Sequence, residues 1–127
     1  MSISVESLTK VYGPQKAVDG ISFSASPGVL GFLGPNGAGK STTMKILTGY
    51  IPQTSGKASV CGFDVETQGV EVKRNIGYLP ESNPLYPDMY VRESLQFIAN
   101  IHKINEPEKR IDEIIELTGL TPERHKK

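Results

Sequence analysis

The sequence predicts an α/β fold in which a glycine-rich loop joins an apolar strand to a helix. An unbroken apolar run at residues 29–33 is typical of a strand that is covered on both faces. The glycine-rich segment begins at the next residue, and residues 41–48 carry apolar side chains at helical spacing. A strand, a loop and a helix in this order are the elements of an α/β core.

Two strands are predicted before this core. Residues 3–11 alternate imperfectly between apolar and polar side chains, and a Gly-Pro pair at 13–14 marks a turn. Residues 17–18 and 21–25 read as further strand, which a Ser-Pro-Gly turn ends. Because short turns join these segments, we expect an antiparallel sheet.

Five further elements are predicted after the helix that follows the loop. They are a strand at 57–62, a short helix at 67–74, a core strand at 76–80 and helices at 91–102 and 106–117. Pro80 closes the core strand. The helix at 91–102 has an apolar stripe that His102 continues, so we expect this histidine to pack into a core.

Composition and charge narrow the class of protein. Of the 127 residues, 37% are hydrophobic and 22% are charged, which is typical of a globular protein. The formal net charge is zero, so a basic field is absent and we expect no nucleic-acid partner. The single cysteine, Cys61, cannot build a disulfide framework and is expected to be a buried or half-buried thiol.

The glycine-rich segment matches the phosphate-loop template of Gly, four residues, Gly, Lys and then Ser or Thr. The matching residues are Gly34, Gly39, Lys40 and Ser41. Glycines let the backbone curl around an anion and aim its N–H groups inward, and the following helix adds its positive end. Lys40 supplies a mobile cation for the β- and γ-phosphates, and the Ser41 hydroxyl can ligate Mg²⁺.

The residues 34–43, Gly-Pro-Asn-Gly-Ala-Gly-Lys-Ser-Thr-Thr, resemble the phosphate loop of ABC-type ATP-binding subunits of transporters. The resemblance covers nearly the whole chain. Residues 8–13 look like the aromatic loop of that family, residues 76–81 stand where it has its glutamine loop, and residues 91–95 resemble the start of its helical subdomain. The implied fold is a P-loop NTPase core with an antiparallel β subdomain and the start of the helical subdomain.

The resemblance also implies the site and its cofactors, ATP and Mg²⁺. Tyr12 would stack on adenine, and Thr42 would donate to the α-phosphate. The loop residues that would hold the phosphates are Gly34, Pro35, Asn36, Gly37, Ala38, Gly39, Lys40, Ser41 and Thr42. Lys40 and Glu81 would have catalytic roles, and Ser41 and Glu81 would ligate the metal.

Glu81 departs from the pattern of the family, which usually has glutamine at this position. A carboxylate can ligate Mg²⁺ as an amide oxygen does, but it cannot donate a hydrogen bond when it is ionised. The Tyr-Leu-Pro-Glu form at residues 78–81 resembles one branch of bacterial exporter-type subunits, including those tied to gliding motility. Without the family, Glu81 would read as a solvated loop acid.

Two motifs that the family uses for hydrolysis do not occur in this sequence. The pair Asp112-Glu113 follows only one apolar residue and lies in an amphipathic helix, so it reads as a solvated face. The segment Leu-Ser-Gly-Gly-Gln is absent, and His125 reads as a surface histidine. We therefore expect residues 1–127 to be the N-terminal part of one ATP-binding domain, an incomplete domain that is inactive alone as an ATPase.

The complete protein is expected to be a bacterial ATPase that powers export or another membrane-linked process. Its partners would be a transmembrane permease subunit and a second ATP-binding subunit, in a homodimer or heterodimer. No apolar run reaches the roughly 20 residues that cross a bilayer, so a cytoplasmic, peripheral position at the inner face of the membrane is expected. The alternatives are a nucleotide-binding module without turnover and a soluble ABC-type ATPase.

Overall fold

A computed structural model describes residues 2–127 of the chain. The described residues form two compact units, which divide between Leu79 and Pro80. The first unit contains β1 (Ile3–Tyr12), β2 (Gln15–Ala25), α1 (Lys40–Leu47), β3 (Ser55–Val60), β4 (Phe63–Asp64) and α2 (Gly69–Arg74). The second contains α3 (Val91–Ile101), α4 (Pro107–Leu117) and a 3₁₀ turn (Thr121–Glu123).

The sheet of the first unit is antiparallel, as the sequence predicts. Its strand order is β2-β1-β3-β4, so β1 is bonded on both edges. Ile3 of β1 lies opposite Ala25 of β2 on one side and opposite Val60 of β3 on the other. The turn between β1 and β2 occupies residues 13–14, which is where the Gly-Pro pair predicts it.

The middle of β1 is irregular, and a glycine makes this irregularity possible. Ser7 has a φ of 49°, and the pairing with both neighbouring strands shifts there. Gly56 of β3 crosses this point with a φ of 86°, and a Cβ at Gly56 would lie 2.3 Å from the Ser7 carbonyl oxygen. Any other side chain at position 56 would therefore collide with the bulged strand.

One hydrophobic core holds α1 against the sheet. The core combines apolar side chains from two strands, β1 and β3, from both helices of the unit and from the segment between β4 and α2. Its members are Val5, Leu8, Ile46, Leu47, Ala58, Val60, Val65 and Val72. Burial of an aliphatic side chain contributes about 1.5–3 kcal/mol, so this cluster is the main source of stability of the first unit.

A polar turn leads from β4 into α2. The Asp64 carboxylate accepts hydrogen bonds from the backbone N–H groups of Thr67 and Glu66, each at 2.9 Å, and from the Thr67 hydroxyl at 3.2 Å. The Thr67 N–H makes the largest contribution to lowering the pKa of Asp64 below its ordinary value. These bonds satisfy donors just before α2, which begins at Gly69 without a side-chain cap.

The two predicted core strands at 29–33 and 76–80 are wrong. Both segments are irregular in the structure, and neither pairs with a strand among residues 2–127. Val29 is fully exposed and Leu33 is 93% exposed, although a few side chains of these segments make ring contacts, such as Phe32 with Phe23 at 5.4 Å. An apolar run forms a strand only where neighbouring strands accept its backbone hydrogen bonds, and the described residues provide none here.

The second unit is built on the helix pair α3 and α4. Ala99, Ile111 and Ile115 form its buried core. Arg92 of α3 binds two carboxylates of α4, Glu108 and Asp112, and its distance to Asp112 is 2.5 Å. The hydrogen bond from Arg92 lowers the pKa of Asp112, and the two carboxylates raise the pKa of Arg92. The side chains of Asp112 and Glu113 are both exposed on α4, so these two acids lie on a solvated helical face, as predicted.

Two predictions about single residues are wrong. His102 does not pack into a core but is exposed, because α3 ends at Ile101 and His102 is the residue that caps it, outside the helical stripe. Cys61 is exposed in the turn between β3 and β4, with a φ of 52°. Within the described chain, no helix combines the length and apolarity that a bilayer crossing requires.

The exposed apolar run predicts that this chain associates with itself. Replacing both Val29 and Leu33 by serine should shift the isolated chain towards monomer, because it removes two highly exposed apolar side chains of the run. Sedimentation velocity at several concentrations measures the shift. Val70→Ser is the matched control, since Val70 is 64% exposed on α2, away from the run in sequence, and should change little. Equal sedimentation of the parent and the double variant would exclude this run as the associating surface.

Candidate phosphate-binding site

The loop at residues 34–42 leads into α1 with the geometry of an open helix N-terminus. Gly39 precedes the helix with φ 91° and ψ 9°, and no side chain caps the first turn. The Thr43 N–H donates to the Gly39 carbonyl at 2.9 Å, which is the first helical bond. The N–H groups before Thr43 have no partner of this helical type, so they are available to an anion.

Gly39 is where the loop meets the sheet. A Cβ at this position would lie 2.2 Å from the carbonyl oxygen of Ala17 and 3.2 Å from Cγ2 of Val18, both in β2. Only glycine combines this close approach with a φ of 91°. The second glycine of the template therefore has a structural reason in this chain, since it lets the start of α1 lie directly on β2.

Lys40 folds back over the loop. Its ammonium donates to the carbonyl oxygens of Gly34 and Pro35, the latter at 2.7 Å. The curl of the loop is closed by the Ala38 N–H, which donates to the Pro35 carbonyl at 3.2 Å. A lysine held at the rim of a curled loop is positioned to contact an anion that the loop surrounds.

The hydroxyl groups at the start of α1 have different environments. Ser41 is exposed and Thr42 is half-buried, so the Ser41 hydroxyl is open to a metal ion. Thr43 is only 1% exposed, and its hydroxyl donates to the Gly39 carbonyl at 2.8 Å. Sequence reasoning missed this stabilising role of Thr43, and the hydroxyl residue four positions after Gly39 was the available signal.

Tyr12 ends β1 and is 48% exposed, opposite Gln15 in the β1–β2 hairpin. The same hairpin continues into Ala17 and Val18, the residues that lie against Gly39. The structure therefore brings the predicted aromatic residue and the base of the loop into one sheet-and-helix unit. The Tyr12 ring also has a neighbour that the sequence analysis did not identify, the ammonium of Lys10 at 5.1 Å from the ring centroid.

Glu81 is exposed and belongs to the second unit, whereas Tyr12 and the loop belong to the first. Its role toward a metal stays a prediction from the resemblance. Within residues 2–127, no three His, Cys, Asp or Glu side chains gather into a set that could hold a metal ion. The Ser41 hydroxyl is exposed beside the loop, and a single protein oxygen of this kind fits an ion that is held mainly by phosphate oxygens.

A curled glycine-rich loop, a lysine at its rim and an uncapped helix behind it define a P-loop protein of the nucleotide-binding class. The chain belongs to the ABC transporter family, whose model matches residues 18–127. This confirms the resemblance inferred from the loop and from the segments around it.

The similarity extends to curated relatives and to a solved structure. The chain is 39% identical over 122 residues to the linearmycin resistance ATP-binding protein LnrL of Bacillus subtilis (strain 168). This alignment covers 94% of this chain and 39% of LnrL. The chain is 40% identical over 128 residues to the bacitracin transport ATP-binding protein BcrA of Bacillus licheniformis. This alignment covers 98% of this chain and 40% of BcrA.

A solved structure of an ATP binding subunit of an ABC transporter aligns with 98% of this chain at a TM-score of 0.80 and 25% identity. The alignment covers 53% of that chain. The present chain thus spans about two fifths of the length of the two curated relatives and about half of the solved chain. The structure confirms the predicted class, an α/β fold with an antiparallel sheet.

The contact between Gly39 and Ala17 predicts a large effect of one methyl group. Gly39→Ala should destabilise the folded state, because it adds a collision with the Ala17 carbonyl to the strain of a positive φ. Gly37→Ala is the matched control, since Gly37 has a φ of 83° but open space around it. We expect about 1–2 kcal/mol for Gly37→Ala and about 1–3 kcal/mol more for Gly39→Ala.

Chemical denaturation without nucleotide measures both values on the full-length protein. Nucleotide is omitted because both variants would also change its binding, and bound nucleotide would add to the measured stability. Equal losses of stability for the two variants would show that the short distance to the Ala17 carbonyl does not require glycine at position 39.

Proposed function

We propose that this chain binds ATP together with Mg²⁺, as the N-terminal part of an ATPase subunit that powers export or another membrane-linked process. The observation that carries the proposal is the loop at the uncapped N-terminus of α1, with Lys40 at its rim. The names of two relatives, a linearmycin resistance ATP-binding protein and a bacitracin transport ATP-binding protein, support a role in transport.

The phosphates would lie at the start of α1. The free N–H groups of the first turn and the positive end of the helix attract the anion, and Thr42 donates to the α-phosphate. Lys40 would leave the carbonyl oxygens of Gly34 and Pro35 for the β- and γ-phosphates, because a charge-assisted bond to an anion is stronger than one to a neutral carbonyl.

The adenine would stack on Tyr12. A half-exposed aromatic ring at the end of a strand offers a face to a planar base, and such stacking contributes about 1–3 kcal/mol. The hairpin that carries Tyr12 also carries Ala17, whose carbonyl touches Gly39. One rigid strand pair would therefore set the spacing between the base and the phosphates.

Mg²⁺, when bound, would neutralise charge on the phosphates, with Ser41 as a protein ligand and Glu81 as a second. In hydrolysis, the groups of this chain would hold the phosphates in place and stabilise the charge that develops on them as water attacks. The described residues place the Asp112-Glu113 pair on an exposed helical face, where Asp112 binds Arg92. A carboxylate that orients the attacking water is therefore expected outside this chain, and the chain alone should bind nucleotide without turnover.

The proposed partners are a transmembrane permease subunit and a second ATP-binding subunit. The second unit has a shallow groove of about 450 Å³, in which the rings of Tyr86 and Phe97 meet edge to face at 6.1 Å. Its other lining residues are Pro87, Asp88 and Met89. This exposed apolar groove supports docking of a segment of the permease, which would place the protein peripherally at the inner face of the membrane.

Two variants and two ligands test the nucleotide site. Lys40→Ala should weaken binding of both Mg-ATP and magnesium tripolyphosphate by about tenfold or more, because it removes the cation of the loop. Tyr12→Ala should weaken Mg-ATP by about fivefold or more and leave tripolyphosphate unchanged, since only the base contact is lost. Isothermal titration calorimetry on the full-length protein gives the four dissociation constants.

Matched controls accompany both variants. Lys45→Ala removes an exposed lysine near the other end of α1 and should leave both affinities in place. Tyr12→Phe keeps the ring and should bind Mg-ATP almost as the parent does. If Lys40→Ala binds both ligands as tightly as the parent does, the loop is not part of the binding site. If Tyr12→Ala weakens both ligands equally, Tyr12 supports the structure and does not contact the base.

Glu81→Gln tests the proposed metal ligand. If Glu81 ligates Mg²⁺, the substitution should raise the magnesium concentration for half-maximal ATPase activity, since one negative charge near the cation is lost. ATP binding without magnesium should tighten slightly, because repulsion of the γ-phosphate is also lost. Magnesium titrations of the full-length parent and variant that superimpose would contradict the ligand role.

A further inference from the structure

The Tyr12 ring is in contact with a fixed cation. The Lys10 Nζ atom lies 5.1 Å from the centroid of the ring, within the distance at which an ammonium is attracted by the face of an aromatic ring. Tyr12 is half-exposed at the end of β1, so the ring has this contact within the protein and is also open to solvent.

The Lys10 ammonium is itself anchored. It donates to the carbonyl oxygen of Pro52 at 2.7 Å, across 42 residues of sequence. The segment that carries Pro52 is fixed beside β1 by two bonds of Thr54, whose N–H donates to the Thr9 carbonyl and whose hydroxyl accepts from the Val11 N–H. A lysine side chain is usually mobile, and here its charged end has a defined position.

The anchor of Lys10 also leads to the phosphate-loop helix. The N–H groups of Tyr50 and Ile51 both donate to the Lys45 carbonyl near the end of α1, just before Pro52. On the other side, Lys10 lies opposite Val18 in the β1–β2 pairing, and Val18 lies 3.2 Å from where a Cβ of Gly39 would be. Lys10 is therefore connected to both ends of α1.

We propose that Lys10 is a positioning residue that holds the Tyr12 ring ready for the base, an inference that rests on the proposed adenine contact of Tyr12. The cation occupies one face of the ring, so a purine base stacks on the opposite face. Restricting the ring before binding lowers the entropy that must be lost when the nucleotide arrives. Because Lys10 is anchored to Pro52, the orientation of the ring follows the position of α1.

Lys10→Met tests this, since it keeps the length and apolar stem of the side chain and removes the charge. Binding of Mg-ATP to the full-length protein should weaken by about two- to fivefold, while binding of magnesium tripolyphosphate should not change. Lys10→Arg should restore most of the affinity for Mg-ATP, because a guanidinium also binds an aromatic face and can donate to a carbonyl. Lys16→Met is the matched control, as Lys16 is an exposed lysine of β2 paired with Asp19.

A double-mutant cycle with Tyr12→Ala separates the possible results. In the Tyr12→Ala background, Lys10→Met should weaken Mg-ATP no further. If Tyr12→Ala weakens Mg-ATP but Lys10→Met does not, the positioning role is overturned and the adenine contact stands. If Tyr12→Ala has no effect, the adenine contact fails and the positioning role fails with it.

Two other results would also overturn the proposal. Equal losses for Mg-ATP and tripolyphosphate in Lys10→Met would make Lys10 a phosphate-attracting charge or a general structural support. Equal losses of Mg-ATP affinity in Lys10→Met and Lys10→Arg would show that a cation beside the ring has no part in binding.

Discussion

The close approach of the Gly39 backbone to the Ala17 carbonyl is the constraint on which the rest of the first unit depends. It seats the first turn of α1 directly on β2, with no room for a Cβ between them. The far half of the same helix places Ile46 and Leu47 in the hydrophobic core. Because one short helix contacts both β2 and the core, the packing of the core and the geometry of the phosphate loop are coupled. The buried Thr43 strengthens this coupling, since its hydroxyl donates to the Gly39 carbonyl.

The two ends of the loop are held very differently. Its helical end is fixed by Gly39 on β2, by the helical bond of Thr43 and by the core behind α1. Its other end continues into residues 29–33, which have no strand partner in the described chain and leave Leu33 93% exposed. The chain spans about two fifths of the length of LnrL and BcrA, and an apolar run of this kind needs neighbouring strands to become part of a sheet.

Local signals in the sequence determined the helices, the antiparallel hairpin and the loop. The helix predicted at 41–48 is α1 at Lys40–Leu47, and those predicted at 91–102 and 106–117 end within a residue or so of α3 and α4. Periodicity and turn residues act over a few neighbours, so one sequence suffices to find them. The strands predicted at 29–33 and 76–80 failed because a strand also requires partners that lie far away in sequence.

The sequence by itself thus determined the class of the protein and the loop that would hold phosphate, since the order Gly-Lys-Ser at the start of a helix is a local arrangement. Only the tertiary structure decided why Gly39 must be glycine, and which charge stands beside Tyr12. The first depends on the Ala17 carbonyl and the second on the bond from Lys10 to Pro52. Both are contacts between residues distant along the chain, which only folding brings within a few ångströms.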